Sequence, residues 1–159
     1  MTNFIQKKLI GVIGASRASE AGYEAAREVG RLIAEAGAVL ICGGLGGVME
    51  GACRGCVEGG GEVIGILPGA EPDQANRWVT LAIPTNMGHA RNVIIAHAAR
   101  GLIAVEGEFG TLSEIAVALK LGRPVASLGS WPDIPGVMYV ESPAQAVTAV
   151  LESIEPTTR

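Results

Sequence analysis

The sequence predicts an α/β fold: one domain built on a doubly wound parallel sheet with helices on both faces. Three observations predict it. Short apolar runs such as Ala38-Val39-Leu40-Ile41-Cys42 and Leu102-Ile103-Ala104-Val105 alternate with longer stretches of helical period, and continuous runs of this kind mark strands buried on both faces. The connections are short, with no linker and no low-complexity tract between elements. The chain of 159 residues is 48% hydrophobic but only 4% aromatic, with 23 glycines, so its core is Val, Ile, Leu and Ala packed closely against helices. The expected architecture is Rossmann-like, and residues 1–159 read as a single domain.

Leu9 to Gly14 reads as the first strand. A helix follows from Glu20 to Ala36, with Ala25, Val29, Leu32, Ile33 and Ala36 recurring at helical spacing and Gly37 where a left-handed cap belongs. Ala38 to Cys42 is the second strand. Gly43-Gly44-Leu45-Gly46-Gly47 opens a second helix through Glu58, which Gly59-Gly60-Gly61 ends. Glu62 to Leu67 is a third strand and Pro68 to Trp78 a loop. Val79 to Ile83 reads as a short strand stopped by Pro84. A helix from Gly88 to Ala99 leads into the strand Leu102 to Val105. Glu106 to Gly110 forms a loop before the helix Ile115 to Leu119, and Gly122-Arg123-Pro124 turns the chain into the strand Val125 to Leu128. Val137 to Val140 is a last short strand. Ser142-Pro143-Ala144-Gln145 has the form of a capping box with proline at the first helical position, starting a helix to Ile154. Residues 155–159 read as a frayed tail.

Composition excludes several classes of function. A net charge of −4 leaves no electrostatic footprint for nucleic acid. No apolar run approaches the roughly 20 residues of a membrane span, and Gly11, Gly14 and Arg17 interrupt the only candidate signal-peptide core. The expectation is a cytoplasmic protein with neither membrane nor nucleic acid as partner. Cys42, Cys53 and Cys56 then read as reduced thiols. Cys53 and Cys56 fall inside the second helix rather than at a helix start, and with His89 and His97 they show no zinc-ligand spacing, so no metal site is expected and the cysteines read as buried or half-buried packing residues. His97 reads as a packed or interface residue.

The chemistry concentrates at the carboxyl ends of the strands, where ligands of such sheets bind. Four segments converge there: Gly14-Ala15-Ser16-Arg17, Gly43 to Met49, Gly88-His89-Ala90-Arg91-Asn92, and Glu106 to Glu114. Glycine loops between strand and helix let backbone approach an anion, and a helix N-terminus directs N–H groups and a positive dipole end at it. None is a Walker A loop, because no Gly-Lys-Ser/Thr follows; none has the spacing of a dinucleotide fingerprint, so NAD is not expected. No lysine sits in a context for pyridoxal phosphate, and Lys120 near a helix end suits the dipole. Glu114 has two readings. It is a site carboxylate, or the third helical position of a Thr111-x-x-Glu114 capping box. Arg91 opens a helix, where the dipole disfavours a cation; it faces an anion or carboxylate, or it is solvated.

Taken together, Gly43-Gly44-Leu45-Gly46-Gly47-Val48-Met49, Gly88-His89-Ala90-Arg91-Asn92 and Gly110-Thr111-Leu112-Ser113-Glu114 resemble the LONELY GUY (LOG) superfamily, long mislabelled lysine decarboxylases. The resemblance runs from about Gly11 to Leu128. It is strongest with the short bacterial branch similar to algal molybdenum-cofactor carrier proteins, through Arg91-Asn92 and the run Glu114 to Val125. For the enzymes, the resemblance implies hydrolysis of the N-glycosidic bond of a nucleoside 5′-monophosphate, with Arg91 and Glu114 at the catalytic positions. A carboxylate would steady an oxocarbenium-like sugar or position water, and arginine would orient it or clamp phosphate. Gly14, Ser16, Gly43, Gly44, Gly46, Gly47, Met49, Asn92, Gly107, Gly110 and Thr111 are the expected ligand- and phosphate-binding positions. The superfamily also implies a homodimer or higher homo-oligomer, with the helix Arg91 to Arg100 as an interface element.

Two departures divide the function. The enzymes have Pro-Gly-Gly-x-Gly-Thr-x-x-Glu in the last loop, whereas this chain has Glu106 for the proline and Glu108 for the second glycine. A carboxylate among phosphate-binding amides repels phosphate, and Glu108 does not take a glycine conformation cheaply. The enzymes' Arg-Lys pair is Arg91-Asn92 here, one positive charge fewer. The expectation is a protein that binds a phosphorylated, nucleotide-like small molecule. It is either a phosphoribohydrolase or a non-catalytic carrier of molybdenum cofactor or a related phosphorylated pterin. In either case it has no resident cofactor and no lysine decarboxylase activity. A ligand sensor acting through partners is a third class on which the residues are silent.

Overall fold

The computed structural model describes residues 6–154; the predicted tail at 155–159 lies outside them. The elements are β1 (Leu9–Gly14), α1 (Glu20–Glu35), β2 (Val39–Cys42), α2 (Val48–Glu58), β3 (Val63–Leu67), β4 (Leu81–Pro84), α3 (Arg91–Ala98), β5 (Gly101–Val105), α4 (Phe109–Lys120), β6 (Val125–Leu128), β7 (Met138–Tyr139) and α5 (Pro143–Ser153), with single 3-10 turns at Pro72–Gln74 and Gly88–Ala90. All seven strands are parallel, in the order β4-β3-β2-β1-β5-β6-β7. Strand order therefore reverses between β1 and β5. Their pairing runs in register from Ile10 opposite Gly101 to Gly14 opposite Val105.

Alternation along these central strands divides the core into two layers. Ile10 and Val12 of β1 and Ile103 and Val105 of β5 pack with Val29 and Ile33 of α1, Ala52 and Cys56 of α2, and Val147 and Val150 of α5. Ile13, Leu102 and Ala104 face the other way, onto Ile95 of α3, Ala99 just beyond it, and Ile115 and Ala118 of α4. The result is the expected doubly wound sandwich.

Most local signals act as the sequence predicts. Gly37 takes φ 74° just beyond α1. The Ser142 hydroxyl accepts from the Gln145 N–H at 3.2 Å, while Gln145 Oε1 accepts from the Glu141 N–H at 3.0 Å, one residue before the cap. Several boundaries differ, two of them near the site. The fourth strand begins at Leu81 and includes Pro84, which pairs with Leu67. This is possible because β4 is an edge strand, where a missing N–H leaves no ladder bond broken. The helix predicted from Gly88 starts as a 3-10 turn and becomes α-helical only at Arg91. His97 is exposed on α3 rather than packed.

The tightest contact between helices is made by glycine. A Cβ on Gly55 of α2 would collide with the Arg27 carbonyl of α1, and one on Gly30 of α1 with the Ala52 carbonyl of α2. Both partners are backbone, which cannot rotate away. Gly55→Ala is therefore expected to lower unfolding free energy by about 1–3 kcal/mol or more through overpacking, seen as a lower urea midpoint. An unchanged midpoint would mean that the two helices do not cross this closely.

Candidate ligand cleft at the carboxyl edge of the sheet

Where the connections from β1 and β5 leave toward opposite faces, a cleft of about 520 Å³ opens, a size suited to a small molecule. The end of β1 and its loop supply Val12, Ile13, Gly14, Ala15, Ser16 and Arg17; the segment after β2 supplies Gly43, Leu45 and Met49. His89, Arg91 and Asn92 enter from the start of α3, and Glu108, Gly110, Thr111 and Glu114 from α4 and its approach. Thus Arg91 and Glu114 share one cavity with Gly14, Ser16, Gly43, Met49, Asn92, Gly110 and Thr111.

Gly44, Gly46, Gly47 and Gly107 were also expected at the ligand but do not line the cleft. Their neighbours give the reason. Gly47, at φ 65°, lies so close to the β1–α1 loop that a Cβ would strike the Ala15 carbonyl, and the Val48 N–H already donates to that carbonyl at 2.9 Å. The first N–H of α2 is thus engaged by the protein itself. Gly44 packs under Leu67, and Gly107 makes room for the Thr111 side chain.

Helix α4 starts earlier than the capping-box reading requires. Its N-cap is Glu108, at φ −116° and ψ −152°, an extended conformation that costs glutamate nothing, contrary to the expected strain. Thr111 lies within the first turn and Glu114 in the second, so Glu114 caps nothing. Its side chain points into the cleft and is only 7% exposed. Burial pushes its carboxyl up to about 8, and the charge of Arg91 offsets only part of that rise.

Arg91 is equally buried, at 7% exposure. Its Nε donates to the Ile66 carbonyl at 2.9 Å and its Nη1 to Asn92 Oδ1. The guanidinium lies over Gly43, where a Cβ would come within 2.7 Å of Nη2. Burial lowers its pKa and Glu114 holds it up, yet an arginine stays charged. Asn92 thus provides an acceptor that orients the arginine.

Glu106 departs from expectation most. It takes φ 52°, a left-handed conformation closed to proline. Its carboxylate turns away from the cleft and accepts from the Ser19 N–H at 3.1 Å and from the Ser19 hydroxyl. Ser19 is the N-cap of α1 and accepts from the Gly22 N–H at 3.0 Å. An anion there is favoured by the helix dipole. The Glu106 carbonyl accepts from the Ser130 hydroxyl at 2.5 Å. Glu106 therefore ties three loops of the sheet edge together and does not oppose a ligand phosphate. Glu108 does face the cleft. Beside it, Phe109 is 78% exposed with its ring 5.5 Å from that of Trp131.

Sequence reasoning did not single out Arg17, Leu45 or Glu108 as wall residues. Arg17 carried a signal: it stands three residues beyond the end of a strand whose carboxyl edge forms the site. The cysteines are buried as expected, with Cys42 and Cys53 Sγ atoms 3.4 Å apart. Burial pushes the Cys56 thiol up to about 11, and Cys53 is raised first by its contact with Cys42 and then by burial, which makes both poor nucleophiles.

Comparison with known proteins agrees with this fold. Residues 7–156 match the model of the SLOG cluster4 family. A protein of Archaeoglobus fulgidus is 51% identical over 144 residues, covering 91% of this chain and 95% of its own. The molybdenum cofactor binding protein of Rippkaea orientalis superposes with a TM-score of 0.87 at 34% identity, over 96% of this chain and 99% of that one. The Moco carrier protein of Chlamydomonas reinhardtii gives 0.84 at 37% identity, over 94% and 98%.

Two measurements test the site. Because the Glu114 carboxyl is raised from an ordinary value of 4.5 to about 8, the native state keeps a proton that the unfolded state loses within that window. Stability contributed here falls as pH rises from about 4.5 to 8. Glu114→Gln is expected to equal wild type at the acid end and to exceed it at the alkaline end; parallel urea-midpoint curves would refute the raised value. Glu106→Gly should cost about 1 kcal/mol through the lost cap contacts. Glu106→Pro should cost several times more, because its ring forbids the observed φ; equal losses would contradict the left-handed turn.

Proposed function

The chain belongs to the SLOG cluster4 family, within the LOG superfamily branch that includes the molybdenum-cofactor carriers. From that premise we propose that it binds a phosphorylated pterin of the molybdenum-cofactor type in the carboxyl-edge cleft and carries it without chemical change. The observation that carries this reading is likeness along more than nine-tenths of both chains to a molybdenum cofactor binding protein and a Moco carrier protein. The cleft is compatible with it. A Glu114 carboxyl that is mostly protonated at neutral pH donates a hydrogen bond to a ring oxygen or nitrogen, but it neither activates water nor offsets a positive sugar. The molybdenum belongs to the cargo on this reading, not to a resident centre. The protein works as a homo-oligomer in the cytoplasm, with the exposed Val93 of α3 on the associating face.

One observation favours a second reading: Arg91 and Glu114, the positions matching the phosphoribohydrolase pair, line the same cavity. There a protonated Glu114 would serve as general acid to the departing base.

Purified protein should be titrated with 6-hydroxymethylpterin monophosphate, followed by pterin fluorescence, and incubated separately with nucleoside 5′-monophosphates while free base is measured. Saturable pterin binding without base release is expected. Base release that Glu114→Gln abolishes would replace the carrier by the hydrolase, and absence of pterin binding would reject the carrier.

A further inference from the structure

The charges of the cleft are arranged unevenly, and their placement bears on how a ligand lies in it. Arg91 is buried, with two of its three nitrogens bonded to Ile66 and Asn92. Arg17, by contrast, is exposed on the β1 side of the cleft. Among the described residues no hydrogen bond or ion pair engages its guanidinium. It follows Ser16 at the exit of the central strand, and both residues line the cleft. Glu108, which also lines the cleft, is the N-cap residue of α4 and makes no side-chain cap bond. A carboxylate carried by that residue opposes phosphate at a helix end whose backbone N–H groups and dipole would otherwise attract it. The approach to the β5–α4 loop is thus guarded by a like charge, while an unengaged cation stands at the β1–α1 loop.

We infer that the ligand is held with its phosphate on Arg17 at the β1–α1 loop and with the amino-bearing edge of its heterocycle toward Glu108. The inference rests on the carrier reading above and specifies the polarity of that same site. The chemistry suits both ends. A guanidinium presents parallel N–H donors to phosphate oxygens. A carboxylate accepts in the same paired way from the 2-amino group and ring N–H of a 2-amino-4-oxopyrimidine, the ring edge of a pterin. Adenine lacks that pair of adjacent donors, so the arrangement also selects the class of heterocycle.

The test compares 6-hydroxymethylpterin with its monophosphate in fluorescence titrations of wild type, Arg17→Ala and Glu108→Gln. Both side chains are exposed, and equal thermal midpoints would verify that the variants fold. Wild type is expected to prefer the phosphate ester by about ten- to a hundredfold, the strength of a charge-assisted pair. Arg17→Ala should erase that preference while the unphosphorylated pterin binds as before. Glu108→Gln should weaken both compounds and leave their ratio unchanged. If Arg17→Ala keeps the preference, or if Glu108→Gln increases it, the phosphate lies at the β5–α4 loop and the inference is wrong although the carrier reading stands. If wild type binds neither compound, the carrier reading falls and the inference with it.

Discussion

The reversal of strand order between β1 and β5 is the constraint on which the rest of the structure depends. Two adjacent parallel strands whose connections leave for opposite faces cannot close over their own carboxyl ends. The gap is filled by what the neighbouring elements bring: the glycine-bordered exits of β1 and β2, the start of α3, and the first two turns of α4. Every chemically competent side chain of the cleft is positioned by one of these. Packing behind them must be close, which accounts for small residues where the helices and loops meet.

Within that gap the balance of desolvation against charge sets the chemistry. Arg91 and Glu114 are both nearly removed from water, but they respond differently. The arginine keeps its charge because its intrinsic basicity is far from neutral pH and its N–H groups are bonded. The carboxyl is close enough to neutrality for burial to return its proton. A site with one fixed cation and one neutral acid is better suited to holding a polar ring than to stabilising a developing positive charge. Arg17 and Glu108 are exposed on two of the loops that line it.

Glu106 illustrates how a residue can depart from a family pattern without harming the site. In sequence it is a negative charge inside a phosphate loop. In space a left-handed φ swings it onto the N-cap of α1, where the same charge is favourable and joins loops from β1, β5 and β6. At the φ that Glu106 adopts, a proline could not stand in its place.

The fold class, the seven strands and the convergence of four loops on the carboxyl edge of the sheet were legible in the sequence, because buried parallel strands write continuous Val, Ile and Leu runs and their helices write a 3.6-residue period. Arg91 and Glu114 were expected at that edge through the resemblance of their segments to the LOG superfamily, and both line the cleft. What only the tertiary structure decided was direction and company. Thr111-x-x-Glu114 has the pattern of a capping box, but packing begins α4 at Phe109 and places Glu114 in the cleft. The glycines after β2 look like a phosphate loop, but several meet backbone instead of solvent. Glu106 and Glu108 are near neighbours in sequence, yet one serves a helix cap and the other a cleft wall. The physical reason is common to all of these cases. Local sequence sets periodicity and conformational preference, whereas the surroundings of a side chain, and with them its charge and its partners, are set by elements distant along the chain.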